Sequence, residues 1–447
     1  MISRIVHVLL QRSKTINHLL QLHSLLLKTA IDRDSNFVSL FISSSCSISI
    51  LFARQVLDNL PILPPVFAWN SLIRSFTKSS NPVEAIKLFS QMLESGLKPD
   101  KFTYPFVLKA SGLCSMISHG GAVHSMILKV GFEFDRYIGN TLLRMYAACG
   151  QIGFARQVFD EMLVRDVVSW SSLIAGYDAC NCPRNAVKMF QQMKLANVKP
   201  NSVTFVSLLS ACTRLLDLIK GKSIHSYLVV NSTELDVAIG TALLLMYSKC
   251  GQIEEAIKIF NLMSEKNLQA WTVMISALAD NGRGYVAISL FIQMQQSGLK
   301  PDSKLFSVIL SACSHTGLVD EARRFFYQMQ RFFCIKPTME HYGCMVDLFG
   351  RAGLMEEAYG IIRDMPMEPN AVILRSFLGA CRNHGQVIRI DDNLRRFLLK
   401  LEPEFGSNYV LAASVSSLSG SWNDAAQLRD AMKQKGLKKV PGCSWIE

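Results

Sequence analysis

A short glycine-containing stretch is the first place where this 447-residue sequence could carry chemistry. Gly221-Lys222-Ser223 resembles the end of a phosphate-binding loop, in which backbone N–H groups and a lysine hold phosphate oxygens. Such a loop requires a glycine at position 216, where this chain has Leu216. We therefore expect these three residues to take part in helix packing.

Cysteine and histidine side chains are the second source of possible chemistry. Cys180 and Cys182 are separated by one residue, which is closer than zinc ligands usually stand, and no second pair lies nearby. His124 and His225 recur at equivalent places without neighbouring acidic or cysteine side chains. We predict packing roles, no metal site and no cofactor, because free cysteine behaves as a small apolar residue. The recurring cysteines are Cys149, Cys212, Cys250 and Cys313.

These residues belong to a long internal repeat. Trp69, Trp170 and Trp271 are 101 residues apart, and a Lys-Pro-Asp/Asn tripeptide ending at 100, 201 and 302 follows the same step. Aligned on its turns, each period divides into three parts. Because stacked repeats bury what one unit cannot, the spacing predicts a solenoid. The nine predicted units are 66–100, 101–135, 136–166, 167–201, 202–236, 237–267, 268–302, 303–338 and 339–370.

The spacing of apolar residues in each unit predicts two helices. Apolar residues of unit 167–201 fall at helical spacing in two stripes, and Lys199-Pro200 ends the second helix because proline disfavours helical backbone in the preceding residue. No alternating strand pattern of useful length is present, so we expect an all-α fold. The stripes are Trp170, Leu173, Ile174 and Tyr177, then Ala186, Met189, Phe190 and Met193.

Composition and charge exclude some classes of protein and favour certain classes of partner. Apolar residues make up 49% of the chain, which excludes a disordered protein, and a net charge of +12 favours nucleic acid or an anionic membrane surface as partner. No stretch has the length and apolarity of a membrane span. Residues 1–31 contain no acidic side chain, which predicts an organellar transit segment over 1–15. The alternative is an ordinary basic N-terminal helix.

The repeated motifs resemble a known family. Trp-Asn/Ser/Thr-x-x-Ile, Ala-x-x-x-Phe-x-x-Met and Gly-Leu-Lys-Pro-Asp are similar to the pentatricopeptide repeat of plant organellar RNA-binding proteins. The alternation of ordinary, long and short units resembles its PLS subclass. The stretch from Asn408 to Glu447 resembles the subclass's C-terminal E region. The resemblance implies a right-handed superhelical solenoid of antiparallel helix pairs, with degenerate repeats over 16–65 and the E region over 371–447.

The resemblance also implies RNA-reading residues. In this family a polar residue early in the first helix and the closing residue of the unit together read one base of single-stranded RNA. We call these two side chains a reading pair. Pro105 and Val206 at the early place of two long units make those units spacers. The predicted reading pairs are Asn70 with Asp100, Asn140 with Asp166, Ser171 with Asn201, Thr241 with Asn267, and Thr272 with Asp302.

Family pairing rules then imply a target. The chain runs parallel to the RNA from 5′ to 3′, and pairs that contain Asn70 and Asn140 read a pyrimidine, preferably U. Pairs that contain Ser171 and Thr241 read A, and the pair that contains Thr272 reads G. Taken alone, the same side chains are also ordinary helix caps and turn residues.

The expected function is site recognition in C-to-U RNA editing. Nucleobase deaminases need His-x-Glu followed by Pro-Cys-x-x-Cys, and neither motif occurs in these 447 residues. We therefore expect no enzyme, with the E region recruiting a DYW-type deaminase and accessory editing factors in trans. Leu374, where the family usually has tryptophan, weakens that expectation. Stabilisation, splicing or translation of organellar RNA is the alternative, and a protein-binding scaffold without RNA is a third hypothesis. The N-terminus favours the mitochondrion over the chloroplast.

Overall fold

A computed structural model describes residues 10, 15–29, 31–231, 234–385 and 392–438. The chain divides into two compact units, Met1–Leu228 and Val229–Glu447. Nearly all of the predicted transit segment lies outside the described residues. The last part of the predicted E region, 439–447, lies outside them as well.

The described part of the chain contains 25 α-helices and no strand, as the all-α prediction expects. The division between the two units falls within the thirteenth helix. The helices that begin in the first unit are α1 Ile16–Thr29, α2 Ser35–Ile48, α3 Ile50–Asp58, α4 Val66–Lys78, α5 Val83–Glu94, α6 Thr103–Leu113, α7 Ile117–Val130, α8 Arg136–Ala148, α9 Ile152–Glu161, α10 Val167–Ala179, α11 Pro183–Leu195, α12 Ser202–Leu215 and α13 Leu218–Val230.

The second unit continues the same pattern, and two helices fall within each of the nine predicted repeat ranges. The predicted E region holds the last four helices. The helices of the second unit are α14 Val237–Lys249, α15 Ile253–Leu262, α16 Leu268–Asp280, α17 Gly284–Gln296, α18 Ser303–Thr316, α19 Val319–Arg331, α20 Met339–Arg351, α21 Met355–Asp364, α22 Ala371–His384, α23 Asp392–Leu401, α24 Gly406–Leu418 and α25 Trp422–Gln434.

First helices of consecutive repeats pack against one another. In the first unit this layer contains α4, α6, α8, α10 and α12, and in the second it contains α14, α16, α18, α20 and α22. Most second helices pack on the first helix of their own repeat and on that of the next, as α5 does on α4 and α6. The layer of first helices therefore places equivalent residues side by side, one repeat apart.

The apolar stripes form the core between the helices. Trp170, Leu173 and Ile174 are at most 6% exposed, and Met193 of the next helix is fully buried. The Trp170 ring meets the edge of Phe159 from the preceding repeat, with ring centroids 4.8 Å apart. The equivalent rings one period later, Phe260 and Trp271, are 5.0 Å apart. The 101-residue period in the sequence is thus also a period of packing.

The repeated Cys-Gly dipeptide ends a first helix. Gly150 and Gly251 have φ values of +73° and +76°, a left-handed conformation that glycine adopts without steric cost. After each, the backbone N–H of Gln151 or Gln252 donates to a carbonyl five residues earlier, at 2.8 Å in both cases. This is the usual helix-ending turn with glycine after the cap, and it directs the chain into the second helix.

Candidate nucleic-acid interface

The five predicted reading pairs occupy equivalent places. Each early residue is the fifth residue of a first helix. Each closing residue directly precedes the first helix of the next repeat, except Asp100, which is separated by two residues from the helix that begins at Thr103. The early side chains are buried, with exposures from 3% for Ser171 to 9% for Thr272. The closing side chains are more accessible. Each pair therefore lies where the layer of first helices reaches the surface.

All five closing residues accept a backbone N–H at the start of the helix that follows, and all except Asp100 are the N-cap residue of that helix. One side-chain oxygen, Oδ1, accepts backbone N–H groups at the helix N-terminus, at 2.9 Å in Asp100, 3.0 Å in Asn201 and 2.8 Å in Asp302. Asp166 and Asn267 do the same at 3.0 and 2.9 Å. Capping satisfies donors that the helix leaves unpaired, and Asn and Asp are among the best residues for it.

Capping determines which atom of each closing side chain remains available to a ligand. Since Oδ1 is committed to the helix, an aspartate is left with Oδ2, which only accepts, and an asparagine with Nδ2, which only donates. An acceptor suits bases with an N–H on the Watson–Crick edge, such as guanine and uracil. A donor suits adenine or cytosine, which carry a ring-nitrogen acceptor there. The remaining atom is thus a chemical discriminator between bases.

Asn70 and Asp100 form a connected pair. The Asn70 Nδ2 donates to Asp100 Oδ1 at 3.0 Å. The Thr103 hydroxyl from the next repeat donates to Asn70 Oδ1 at 2.8 Å and also lies 2.9 Å from Asp100 Oδ1. Both ends of the Asn70 amide are therefore held in place.

Asn140 and Asp166 are connected differently. Asn140 Nδ2 donates to Asp166 Oδ1 at 3.3 Å, but Asn140 Oδ1 is buried and has no hydrogen-bond partner in the described structure. Burial alone would raise the pKa of Asp166. Hydrogen bonds from Ser169 and Asn140, together with the charge of Arg136, outweigh burial and lower it, so this carboxylate is ionised at neutral pH. The pair therefore presents a buried, unused acceptor beside a negative charge.

Ser171 and Asn201 are also joined. The Ser171 hydroxyl lies 2.6 Å from Val167 O, 3.1 Å from Asn201 Oδ1 and 2.8 Å from the Thr204 hydroxyl. Thr204 is fully buried and comes from the next repeat. As in the pair of Asn70, a third side chain completes the contact.

The two threonine pairs are not brought together. The Thr241 and Thr272 hydroxyls donate to carbonyls of their own helices, Val237 O at 2.6 Å and Leu268 O at 2.8 Å. Among the described residues no hydrogen bond joins either hydroxyl to Asn267 or Asp302. The two side chains of a predicted reading pair are thus in contact in three of the five pairs. The role of all ten residues in RNA reading stays a prediction.

One long repeat contains polar residues that the sequence reasoning missed. Pro105 and Val206 carry no polar group at the early place, but Ser307 stands there in 303–338. The buried His341 ring links its hydroxyl to the closing residue, with Nε2 3.1 Å from Ser307 Oγ and Nδ1 2.8 Å from Thr338 Oγ1. The signal in the sequence was a polar residue at both the early and the closing place of a long unit.

The other candidate residues named in the sequence analysis occupy both buried and exposed positions. Gly221 is buried inside α13, whereas Lys222 and Ser223 lie exposed on that helix, so the packing prediction holds for the glycine and is wrong for its two neighbours. Cys212 and Cys313 are fully buried, as a packing role requires, and burial raises the pKa of Cys313 to about 12. His124 is hydrogen-bonded to the Tyr146 hydroxyl at 2.9 Å.

The described residues contain neither a candidate metal site nor a candidate membrane-spanning helix. No group of three or more His, Cys, Asp or Glu side chains in those ranges could hold a metal ion. In the same part of the chain, no helix is long and apolar enough to cross a membrane.

Comparison with known proteins decides the family. Models of the PPR repeat family match residues 64–114, 165–214 and 267–315, the PPR repeat model matches 140–167, 241–268, 305–332 and 340–368, and the E motif model matches 393–447. A pentatricopeptide repeat-containing protein of Arabidopsis thaliana is 37% identical over 472 residues, covering 98% of this chain and 76% of the relative. The chain belongs to the pentatricopeptide repeat family. Its repeats and E motif fit the PLS type and the E class.

A further relative and a solved structure agree with this family assignment. The Arabidopsis thaliana pentatricopeptide repeat-containing protein CRR2, chloroplastic, is 35% identical over 440 residues, covering 97% of this chain and 67% of CRR2. The crystal structure of PPR10 in complex with an 18-nt psaJ RNA element matches with a TM-score of 0.75 at 19% identity, over 94% of this chain and 64% of PPR10. The prediction of a helical-pair solenoid is confirmed by this match in fold.

Proposed function

We propose that this pentatricopeptide repeat protein binds single-stranded RNA in a plant organelle and selects a site for C-to-U editing. The reading pairs would each select one base, and the E region would recruit a DYW-type deaminase and accessory editing factors in trans. The chain itself has no catalytic part in this proposal.

The observation that best supports RNA reading is the hydrogen bonding of the closing side chains. In five repeats one side-chain oxygen accepts a backbone N–H at the start of the next helix, and the second atom is one that can accept or donate. In Asp166 this second oxygen also lies 3.3 Å from Arg136 Nε. Because the capping oxygen is fixed and the carboxylate or amide group is planar, the second atom is fixed too. A row of preset donors and acceptors at repeat spacing suits successive unstacked bases.

The buried Asn140 Oδ1 strengthens this interpretation. An unpaired buried acceptor costs free energy in the free protein, and that cost is recovered when a ligand donor reaches it. Every base carries an N–H donor on the Watson–Crick edge. The acceptor is therefore compatible with the pyrimidine expected for the repeat 136–166 but does not by itself select it.

Charge and relatives support RNA as the polymer. A net charge of +12 favours a polyanion. The matching crystal structure holds PPR10 with an 18-nt RNA element. The editing role is supported by the E motif at 393–447.

A binding experiment tests the first half of the proposal. We expect the purified chain to bind a single-stranded RNA that carries U, U, A, A and G opposite its five reading pairs, in chain order, at least tenfold more tightly than a scrambled RNA. Loss of two base contacts at about 1–3 kcal/mol each would already exceed that ratio. Equal affinity for the two RNAs would contradict sequence-specific reading.

Sequencing of organellar cDNA tests the second half. Plants that lack the protein should keep C at one or more positions that are read as T in the wild type. If every edited site were unchanged while transcript ends, splicing or translation were altered, the alternative role in RNA stabilisation, splicing or translation would replace editing.

The organelle can be assigned by a reporter. The basic N-terminus favours the mitochondrion, which we propose, whereas three relatives are named chloroplastic. A fluorescent protein fused to the first ~60 residues, enough to include a presequence, should label mitochondria. Labelling of plastids alone would assign the chloroplast in its place.

A further inference from the structure

The third residue of a repeat contacts the reading pair of the repeat before it. Thr103, Thr204 and His341 occupy this place, and all three are fully buried. Each lies within hydrogen-bond distance of both the early and the closing residue of the preceding repeat. A buried polar side chain that meets both residues is a bridge between them.

The contacts of Thr204 show what the bridge does. Val167 O, at 2.6 Å, can only accept, so the Ser171 hydroxyl gives it its proton. The Thr204 hydroxyl proton then has two acceptors within reach, Ser171 Oγ at 2.8 Å and Asn201 Oδ1 at 2.9 Å. The Thr204 backbone N–H holds Asn201 Oδ1 at 3.0 Å, and its hydroxyl receives the Asn201 N–H at 3.2 Å. Thr204 thus sets the rotamer of Ser171 and the amide orientation of Asn201 together.

Thr103 performs the same task with different partners. Asn70 Oδ1 and Asp100 Oδ1 can both only accept, so the one proton of the Thr103 hydroxyl serves both residues of the pair, at 2.8 and 2.9 Å. That hydroxyl receives the Asp100 N–H at 3.1 Å. Two unrelated reading pairs, one of Asn with Asp and one of Ser with Asn, are therefore bridged through one position.

The remaining repeats supply the contrast. Ser169, at the third place, reaches Asp166 at 3.1 Å, and Asn140 Oδ1 is left without a partner. Ala270 and Leu305 have no polar side-chain atom, and the threonine pairs before them are the two that make no contact. The two pairs without contact are thus the two that are followed by an apolar third residue, and Asn140 with Asp166 is a pair in direct contact without a bridge.

We propose that Thr103 and Thr204 are positioning residues that set base selectivity at the preceding repeat. The inference rests on the proposed RNA reading. A donor or acceptor that is already oriented loses less freedom when a base binds, so selectivity is higher where the bridge is present. His341 extends the same device to Ser307 and Thr338.

The test measures affinity for four RNAs that differ only in the base opposite Ser171 and Asn201. Replacing the bridge, Thr204→Val, removes one hydroxyl at similar volume and should reduce the preference for the favoured base about fivefold, as expected for one hydrogen bond. Preferences at the other positions should not change. Thr204→Ser, which keeps the hydroxyl, should restore the preference.

A matched control lies in the same helix. Thr213 donates to Leu209 O near the far end of α12 and touches no reading pair, so Thr213→Val should leave the preference unchanged. Thr103→Val, tested with the base opposite Asn70, repeats the experiment in another repeat should Thr204→Val fold poorly. Equal weakening on all four RNAs would show that Thr204 is only structural and overturn the inference. If the wild-type chain itself showed no base preference, the proposed function would be overturned. That result can be distinguished from failure of the inference about Thr204.

Discussion

At the scale of single residues, capping and base reading turn out to be compatible uses of one side chain. In sequence terms Asp or Asn after Lys-Pro is equally good evidence for a helix cap and for a base contact. Asp302 caps α18 with Oδ1 at 2.8 Å and keeps Oδ2 for other use. The two interpretations therefore do not compete, because the cap uses Oδ1 and leaves Oδ2 available for the base contact that we propose.

Four histidines, one buried and three half-buried, are expected to make the stability of the fold sensitive to mild acid. Burial lowers the pKa of His119 and His124, and also of His23 and His341, below the ordinary value of 6.5. The unfolded chain takes up these protons more readily, so the contribution is complete above pH 6.5 and is lost as pH falls toward the lowered values. We expect the urea concentration at the midpoint of unfolding to decrease when the pH is lowered from 7 to 5.

A single histidine variant checks the cause. His119 receives or donates one hydrogen bond with the Ser111 hydroxyl at 2.8 Å. His119→Gln cannot take up a proton, so its stability should change less between pH 7 and pH 5 than that of the wild type. An identical pH dependence in the variant would exclude this histidine as a source.

At the scale of helices, stability depends on contacts between neighbouring repeats. Trp170 is 6% exposed and packs on Phe159 of the preceding repeat at 4.8 Å. We expect Trp170→Ala to lower the free energy of unfolding by about 3–5 kcal/mol. Because a repeat array behaves as a chain of nearest neighbours, hydrogen exchange should accelerate first in α8 to α12.

The control for that prediction is a tryptophan on the surface. Trp422 is 69% exposed at the start of α25, and Trp422→Ala should change stability by less than about 1 kcal/mol. Uniform acceleration of hydrogen exchange along the whole chain in Trp170→Ala would contradict the nearest-neighbour account.

The helices could be predicted from the sequence, because apolar spacing and Pro and Gly positions are local signals. Trp170, Leu173 and Ile174 are buried as their spacing indicates, and Gly150 has the left-handed backbone that ends a helix. The state of the reading pairs could not be predicted. It depends on hydrogen bonds between residues about 30 positions apart and on a third residue, such as Thr204, whose hydroxyl looks like ordinary helix polarity in the sequence.

At the scale of the whole molecule, the reading pairs are distributed over both compact units. Three pairs lie within Met1–Leu228 and two lie within Val229–Glu447. The excess of basic residues supplies attraction to phosphate that does not depend on sequence, and salt weakens it. Selectivity must therefore come from individual pairs, which makes base preference at one nucleotide the quantity to measure.

The substitution Asp302→Asn tests the central claim that the free atom of a closing residue selects the base. Asparagine caps α18 as well as aspartate does, so stability should be kept while the acceptor Oδ2 becomes a donor. The substituted pair would then consist of the same two residue types as Thr241 with Asn267. Asp135→Asn is the control, because Asp135 caps α8 in the same way but closes a repeat with Pro105 at the early place.

The measurement is the affinity for RNAs that carry each of the four bases opposite the repeat 268–302. We expect Asp302→Asn to change the preferred base from G to A, with every other position unaltered, and Asp135→Asn to change nothing. Loss of affinity for all four RNAs alike, or the same change in Asp135→Asn, would contradict base selection by the closing residue.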